Sequence, residues 1–585
     1  MKIFLVMALL AVVAAVVTCD KDVDDTAINQ KHYKMLRDTL YGEFSPCTQF
    51  YSHVCYKWPG NHVANIGNYN SVMEMLNHEA NMEIKEYLEN TPLDDVSYYY
   101  EKMAKNFYES CMKDGKEFDY LKIMHWLEQE ENMKWALLTP TDEKNVVFDW
   151  ISTMAKFRKY GLNDMFVEQW SSSKDTFRYV TSYQMRSYKK DIPLPSGAMD
   201  FMALWPLIQE FEQKLKLIKV SKAEEKQTYK FHQLPYDWLK KYLTAVAEPK
   251  QLDANMELSI DNGDAMDKLD ALIKQYDEAF LCRYLEIRFL LYLENARQRI
   301  QPNSCIHQVT SYMTMASEGI YVNLHPELLQ EYSQIQQMFE NIVKSVNKTL
   351  QMDTQNIIPQ EYFAKLETMQ LQVGDTYSTN TIERLEGHYK DLQLQPNDYH
   401  GNLLKIMKFL NKQQSDDSAM EILYKAPTLV VPTSNVMPKY VAKTNVLTLP
   451  FGLLRAPFYN PAYVDIFKQS SLGTLMAIHI FDPLVLMGAH NNWDIETFPD
   501  MLGLHSSFEV FFSSLERKEI ERYQAMFNMT SVEQQLRQLF FINEMHGRCA
   551  WFYAPADRVN TMLRDIPYFN QAFECKVNDF LKQVL

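Results

Sequence analysis

The chain has 585 residues, 46% of them hydrophobic, and a formal net charge of -16. That length suits roughly two to four domains with sizeable cores. The acidic balance excludes a nucleic-acid partner, because binders of a phosphate backbone need a basic stripe to displace counterions, and no such stripe is present. With 16 glycines against 35 tyrosines, 32 phenylalanines and 32 methionines, the composition favours a mainly α protein over a sandwich or barrel.

The chain opens with Met1-Lys2, an apolar run from Ile3 to Val17, and an acidic stretch from Asp20 to Asp25. The run is short for a membrane span, which needs about 20 residues, but suits a signal-peptide core with cleavage near Cys19. Residues 1–19 are therefore expected as a signal peptide and 20–45 as a solvated stem. Membrane attachment is expected only if the segment stays as an uncleaved anchor, and a secreted, extracellular protein otherwise.

From Glu74 to Trp135 apolar residues recur at helical spacing, as in Met103, Phe107, Tyr108 and Met112. Between Asn145 and Arg186, Val146-Val147-Phe148 and Phe177-Arg178-Tyr179-Val180 predict a small hairpin or sheet. Helical patterning resumes from Trp205 to Ile300, strongest over Gln275 to Arg299, and again from Cys305 to Leu350. Around Leu429 to Pro450 two short β-type runs, Leu429-Val430-Val431 and Asn445-Val446-Leu447-Thr448-Leu449, mark a change of character. A domain boundary is placed near residue 425, separating 46–424 from 425–585.

Removal of Cys19 leaves seven cysteines, Cys47, Cys55, Cys111, Cys282, Cys305, Cys549 and Cys575. In an oxidising compartment that number predicts three bridges and one leftover thiol, and spacing does not choose among the pairings. No Cys-x-x-Cys is present, which argues against a zinc ribbon or a thioredoxin-type site. The sequons Asn347-Lys348-Thr349 and Asn528-Met529-Thr530 fit a secretory route and mark Asn347 and Asn528 as glycosylation acceptors.

Several segments carry a resemblance. Pro46-Cys47-Thr48-Gln49-Phe50-Tyr51-Ser52-His53-Val54-Cys55-Tyr56-Lys57-Trp58 resembles the opening signature of the neprilysin-type zinc metalloendopeptidases. Phe107-Tyr108-Glu109-Ser110-Cys111, Arg283-Tyr284-Leu285-Glu286-Ile287-Arg288, and Pro450-Phe451-Gly452-Leu453-Leu454-Arg455-Ala456-Pro457-Phe458-Tyr459 follow in that family's order. Arg558-Val559-Asn560 and Ala572-Phe573-Glu574-Cys575 are similar to its closing segment. The resemblance implies a mainly α, two-lobed ectodomain fold enclosing a cavity, with small β elements and a shortened thermolysin-like lobe. It also implies the bridges Cys47–Cys575, Cys55–Cys549 and Cys111–Cys305, with Cys282 left free.

Family members bind zinc through a His-Glu-x-x-His helix, whose two histidines one turn apart face one metal, and a glutamate on a later helix. Counted without a gap from Pro457-Phe458-Tyr459, the motif positions here hold Ile478, His479, Ile480, Phe481 and Asp482. Ile478 has no lone pair, Asp482 offers oxygen where imidazole stood, and His479 replaces the water-polarising glutamate. Glu496-Thr497-Phe498-Pro499-Asp500-Met501-Leu502-Gly503-Leu504 is similar to the third-ligand motif, placing Glu496 and Asp500 at the ligand and supporting-carboxylate positions. Pro499 is expected to disturb that turn.

The family's substrate-holding Asn-Ala pair falls on Met437-Pro438, and a methionine cannot form the amide bonds of that role. The oxyanion-stabilising histidine falls near Tyr553. Arg558 is the residue expected to retain ligand contact, since its fork holds a carbonyl or carboxylate without a metal.

The sequence therefore predicts a pseudoenzyme without catalytic residues, bound metal or cofactor, zinc being the family's ion. The expected partners are extracellular peptides held in the old cavity or an active neprilysin-like relative. One alternative is a residual metalloendopeptidase with a substitute site of His479, Asp482 and Glu496. Another is a structural partner subunit of an active relative.

Overall fold

The computed structural model describes residues 25–65, 68–115, 117–140, 146–171, 175–179, 200–218, 226–299, 304–351, 358–374, 381–413, 436–442, 444–488, 497–550 and 556–576, with single positions between 192 and 198. The chain divides into two compact units. A mid-chain unit takes residues 87–317 and 383–432, and a terminal unit takes 1–86, 318–382 and 433–585. The boundary expected near residue 425 and the run Leu429-Val430-Val431 lie outside the described residues, as does the expected signal segment.

In the mid-chain unit, helix Tyr99–Asp114 buries Met103, Ala104, Phe107, Tyr108 and Cys111, a stripe at three- and four-residue spacing. Asp119, Asp149 and Asp200 each accept backbone N–H bonds at the starts of helices Tyr120–Glu131, Trp150–Arg158 and Phe201–Leu217. Such caps satisfy donors that the first helical turn leaves open. Helix Glu278–Arg299 carries the Arg283-to-Arg288 motif, whose polar groups are structural. Glu286 is buried and accepts N–H bonds from Ala136 and Leu137 at 2.8 Å each, while Arg283 donates to the Ala136 carbonyl at 3.0 Å. Burial pushes the Glu286 carboxyl up to about 7, with the two amides and Arg283 pulling the other way.

This unit holds a four-stranded sheet of order β1-β2-β4-β3, formed by β1 (Val167–Ser171), β2 (Asp175–Tyr179), β3 (Gln227–Lys230) and β4 (Glu257–Asp261). The predicted β segment around Phe177 is therefore a strand, but its hairpin partner is β1, with Val167 opposite Tyr179. Val146-Val147-Phe148 is not a strand; Val147 is 93% exposed and has no sheet to cover it. Strands β3 and β4 also interrupt the stretch from Trp205 to Ile300 that was expected to be helical throughout.

The terminal unit contains a three-stranded sheet, β5 (Gln370–Val373), β6 (Lys439–Val441) and β7 (Val446–Leu449), in the order β5-β7-β6. Helix Tyr332–Leu350 buries Ile335, Phe339, Ile342, Val346 and Leu350 along one face. It packs on helices Thr474–Ile480 and Phe498–Ser514. The expected stem corrects to a packed element, because residues 25–39 form a helix whose Asn29, His32, Leu36 and Thr39 are buried. Asn29 donates to the Ala462 carbonyl and accepts from Val464 N–H, and His32 lies between Asn543 and the Tyr463 hydroxyl at 2.8 and 2.9 Å.

The three bridges join the pairs that the resemblance implied. Cys47–Cys575 and Cys55–Cys549 lie in the terminal unit, and Cys111–Cys305 in the mid-chain unit. Cys282 is free and buried, with its sulfur 3.7 Å from the Thr153 hydroxyl. Each bridge closes a loop of nearly two hundred residues or more, where loss of a native disulfide typically costs roughly 2 to 5 kcal/mol. No helix among the described residues is long and apolar enough to cross a membrane.

Candidate functional site

The motif positions from Ile478 to Asp482 span the end of one short helix of the terminal unit and the start of the next. The first begins as a π-helical stretch, Gln469–Gly473, continues as Thr474–Ile480 and gives way to Asp482–Leu486, whose Pro483 sits in a first turn where no N–H is required. Gln469 and Ser507 exchange two hydrogen bonds, Nε2 to Oγ at 3.0 Å and Oγ to the Gln469 carbonyl at 2.8 Å, which fix this segment to helix Phe498–Ser514. The buried Tyr362 hydroxyl donates to the Ile480 carbonyl at 3.1 Å, satisfying an acceptor that the helix end leaves open.

The two helices face each other at Gly503. A Cβ placed on Gly503 would lie 2.6 Å from Ile478 N and 2.7 Å from its Cα. Pro499 does not break the later helix, as it stands in the first turn. The turn that Pro499 is expected to disturb is thus intact, and where the two helices come closest an isoleucine stands at the first motif position.

One turn on, His479 Nδ1 and Asp482 Oδ2 are 2.8 Å apart, both partly exposed. The turn at Phe481 between the two short helices brings them together, so each is the other's partner. Asp500, the carried-over supporting carboxylate, has a cationic partner: Arg548 Nη1 donates to its Oδ2 at 2.7 Å. The Arg548 Nε donates to Glu544 Oε1 at 2.5 Å. Glu544 is buried, and its second oxygen has no hydrogen-bond partner among the described residues. Burial raises the Glu544 pKa above the usual carboxylate range, with Arg548 pulling it back. Burial works against the Arg548 charge, but the two carboxylates outweigh it and raise its pKa further.

Sequence reasoning missed Glu544 and Arg548. Their four-residue spacing at the end of helix Val532–His546 was an available signal, but their relation to Asp500 arises from tertiary packing.

Of the other positions, Met437 is 44% exposed just before β6, and Arg558 is exposed on helix Ala556–Arg564. Glu496 and Tyr553 lie outside the described residues. Asn528 is exposed at the left-handed end of helix Arg517–Phe527, whereas Asn347 lies within helix Tyr332–Leu350 and accepts from Gln351 at 3.0 Å.

The described residues do not fit a zinc ion. Zinc sites supply imidazole, thiolate or carboxylate donors from at least three side chains. Here Ile478 supplies none, Asp482 is joined to His479, and Asp500 faces a guanidinium whose charge would repel a cation. No group of three or more His, Cys, Asp or Glu side chains among the described residues is placed to hold a metal.

A sequence profile described as peptidase family M13 matches residues 46–199. Neprilysin-2 of Caenorhabditis elegans is 21% identical over 539 residues, covering 79% of this chain and 72% of that protein. The chain is similar to the neprilysin-type metalloendopeptidases. Solved structures share the fold. The Haemonchus galactose containing glycoprotein complex superposes with a TM-score of 0.61 at 16% identity, covering 93% of this chain and 96% of the other. The zinc metalloprotease Zmp1 of Mycobacterium tuberculosis, in complex with an inhibitor, gives 0.58 at 12% identity, covering 94% and 98%. A mainly helical neprilysin-type fold thus coexists with Ile478 and Asp482 at the positions that the resemblance assigns to the first two zinc ligands.

Proposed function

We propose that this neprilysin-type protein is a secreted pseudoenzyme that acts by binding extracellular peptides rather than by cleaving them. The observation that carries this reading is Ile478 packed against Gly503 at the first ligand position. The Asp482–His479 pair at the second position supports it. A fold held by packing and three bridges does not need the metal that serves chemistry, so scaffold and activity can part company. The bridges themselves favour an oxidising compartment. Arg558, exposed on its helix, remains the residue proposed for contact with a peptide carbonyl or carboxylate.

The purified chain is expected to carry well under one zinc per molecule by elemental analysis and to show no chelator-sensitive cleavage of a mixed peptide library. Stoichiometric zinc with turnover abolished by a chelator would reverse the proposal in favour of the substitute site at His479, Asp482 and Glu496. The triple substitution Ile478→His, His479→Glu and Asp482→His is expected to recover no peptide cleavage, because Met437 stands where the family holds its substrate with an asparagine.

A second reading, a partner subunit of an active relative, draws on the structural likeness to a protein described as a glycoprotein complex. The sequons at Asn347 and Asn528 suit the same secretory setting. A shift to larger mass on mixing with an active relative is expected under that reading, and unchanged monomers in both samples would count against it.

A further inference from the structure

Away from the former zinc positions, the terminal unit contains an ionic cluster built from three separate stretches of chain. Glu79 and Glu83 stand one turn apart on helix Val72–Asn90. His325 follows helix Thr314–Leu324, and Glu327 belongs to the 3-10 turn Pro326–Glu331. Arg455 comes from the segment after the short turn Phe451–Leu453.

His325 Nε2 is 2.7 Å from Glu83 Oε2, and its Nδ1 is 3.2 Å from Glu327 Oε1. Arg455 Nη2 reaches Glu83 Oε1 at 2.9 Å and Glu79 Oε2 at 3.4 Å. The Tyr321 ring lies 4.6 Å from the His325 ring.

The geometry fixes a protonation state. Both ring nitrogens of His325 face carboxylate oxygens, which only accept, and both nitrogens donate only in the imidazolium form. A neutral ring would turn a lone pair towards a carboxylate and leave Arg455 as the one cation against Glu79 and Glu83. We propose that Glu79, Glu83, His325, Glu327 and Arg455 form an acid-strengthened clamp, which holds the turn after Tyr321 to helix Val72–Asn90 in mildly acidic surroundings and loosens above neutrality.

The shifts of His325 and Glu83 both favour the charged pair, while Glu79 stays above its ordinary value. The hydrogen bond to Glu83 raises the His325 pKa against the effect of burial, and Glu327 adds to the rise. Burial pushes Glu83 up, but His325 and Arg455 together bring it below its ordinary value. Burial raises Glu79, which Arg455 and the more distant His62 pull down and Glu83 pushes further up.

A histidine whose folded pKa is raised contributes its stability fully below the unfolded value of about 6.5 and loses it as pH climbs through the folded value. The turn leads through Glu331 into helix Tyr332–Leu350, which packs on both helices of the former zinc site. Glu331 also accepts from the Tyr459 hydroxyl at 2.6 Å. The clamp is thereby placed to pass a pH change to that site.

Thermal unfolding of the full chain from pH 5.5 to 8.5, compared with His325→Gln, isolates this group from the other histidines. Buried neutral histidines such as His32, pushed down to about 4 chiefly by burial, and His546, pushed to about 3, shift stability with the opposite sign and are common to both proteins. The wild type is expected to melt about 2 to 4 °C higher than the variant at pH 5.5, with the gap closing by pH 8.5. His325→Lys, which keeps a cation throughout, is expected to stay above His325→Gln at pH 8.5. A gap that is absent, or constant across the range, would overturn the proposal, as would His325→Lys and His325→Gln melting alike at pH 8.5.

Discussion

Replacing Arg548 by methionine is expected to cost about 3 to 5 kcal/mol, the range typical of removing one partner from a buried ion pair. Methionine fills much of the same space, so the loss is chiefly electrostatic. It strands Glu544, only 4% of whose side chain is exposed, and deprives Asp500 of its cation as well. In a unit of this size the melting temperature should fall by on the order of 10 °C.

The penalty also has a pH signature. Without Arg548, burial acts unopposed on Glu544, whose pKa rises further above its unfolded value. An acid with a raised folded pKa destabilises where it must ionise and ceases to do so as pH falls through that pKa. The gap between wild type and Arg548→Met should therefore be wider at pH 7.5 than at pH 5. Adding Glu544→Gln should recover a large part of the loss, because removing both members of a buried pair costs far less than removing one. If Arg548→Met melts with the wild type at both pH values, the guanidinium is not the cation that holds these carboxylates.

What could be read from the sequence, and what could not, follows from the range of the forces involved. Helix Tyr332–Leu350 was legible because its buried residues are all apolar and repeat at three and four. The helix at residues 25–39 has the same period but buries Asn29, His32 and Thr39 beside Leu36. Hydrogen bonds from residues more than 400 positions away satisfy Asn29 and His32, so a search for apolar stripes reads the segment as a solvated stem. Strands β3 and β4 were hidden because a strand's evidence lies in its partner. Gln227–Lys230 has no apolar alternation, and it is paired along its length with Glu257–Asp261. Val146-Val147-Phe148 has the composition of a strand and finds no such partner.

The loss of donors at Ile478 was readable because a lone pair belongs to the residue type alone. The Asp500–Arg548–Glu544 arrangement was not, as it depends on how helices Phe498–Ser514 and Val532–His546 pack. The doubt raised by Pro499 treated the residue as interior to a helix, whereas the chain begins its helix one residue earlier.

Gly503→Ala is the sharper test of the site itself. In an unobstructed helix this change would stabilise by about 1 kcal/mol, since glycine carries the greater backbone entropy. Here the new Cβ would lie 2.6 Å from Ile478 N and 2.7 Å from both its Cα and its Cγ1. Two of those three atoms are backbone and cannot rotate away, so relief requires the helices to separate. Overpacking of that kind costs about 1 to 3 kcal/mol or more, and the prediction is a net destabilisation with a melting temperature lower by roughly 5 °C. Adding Ile478→Ala removes Cγ1 but leaves N and Cα in place, and the double variant should remain below Ile478→Ala alone. Were Gly503→Ala instead as stable as the wild type, the helices could not be in contact there. The first ligand position would then be open space rather than packed core, and a histidine restored at Ile478 would have room to turn towards a metal.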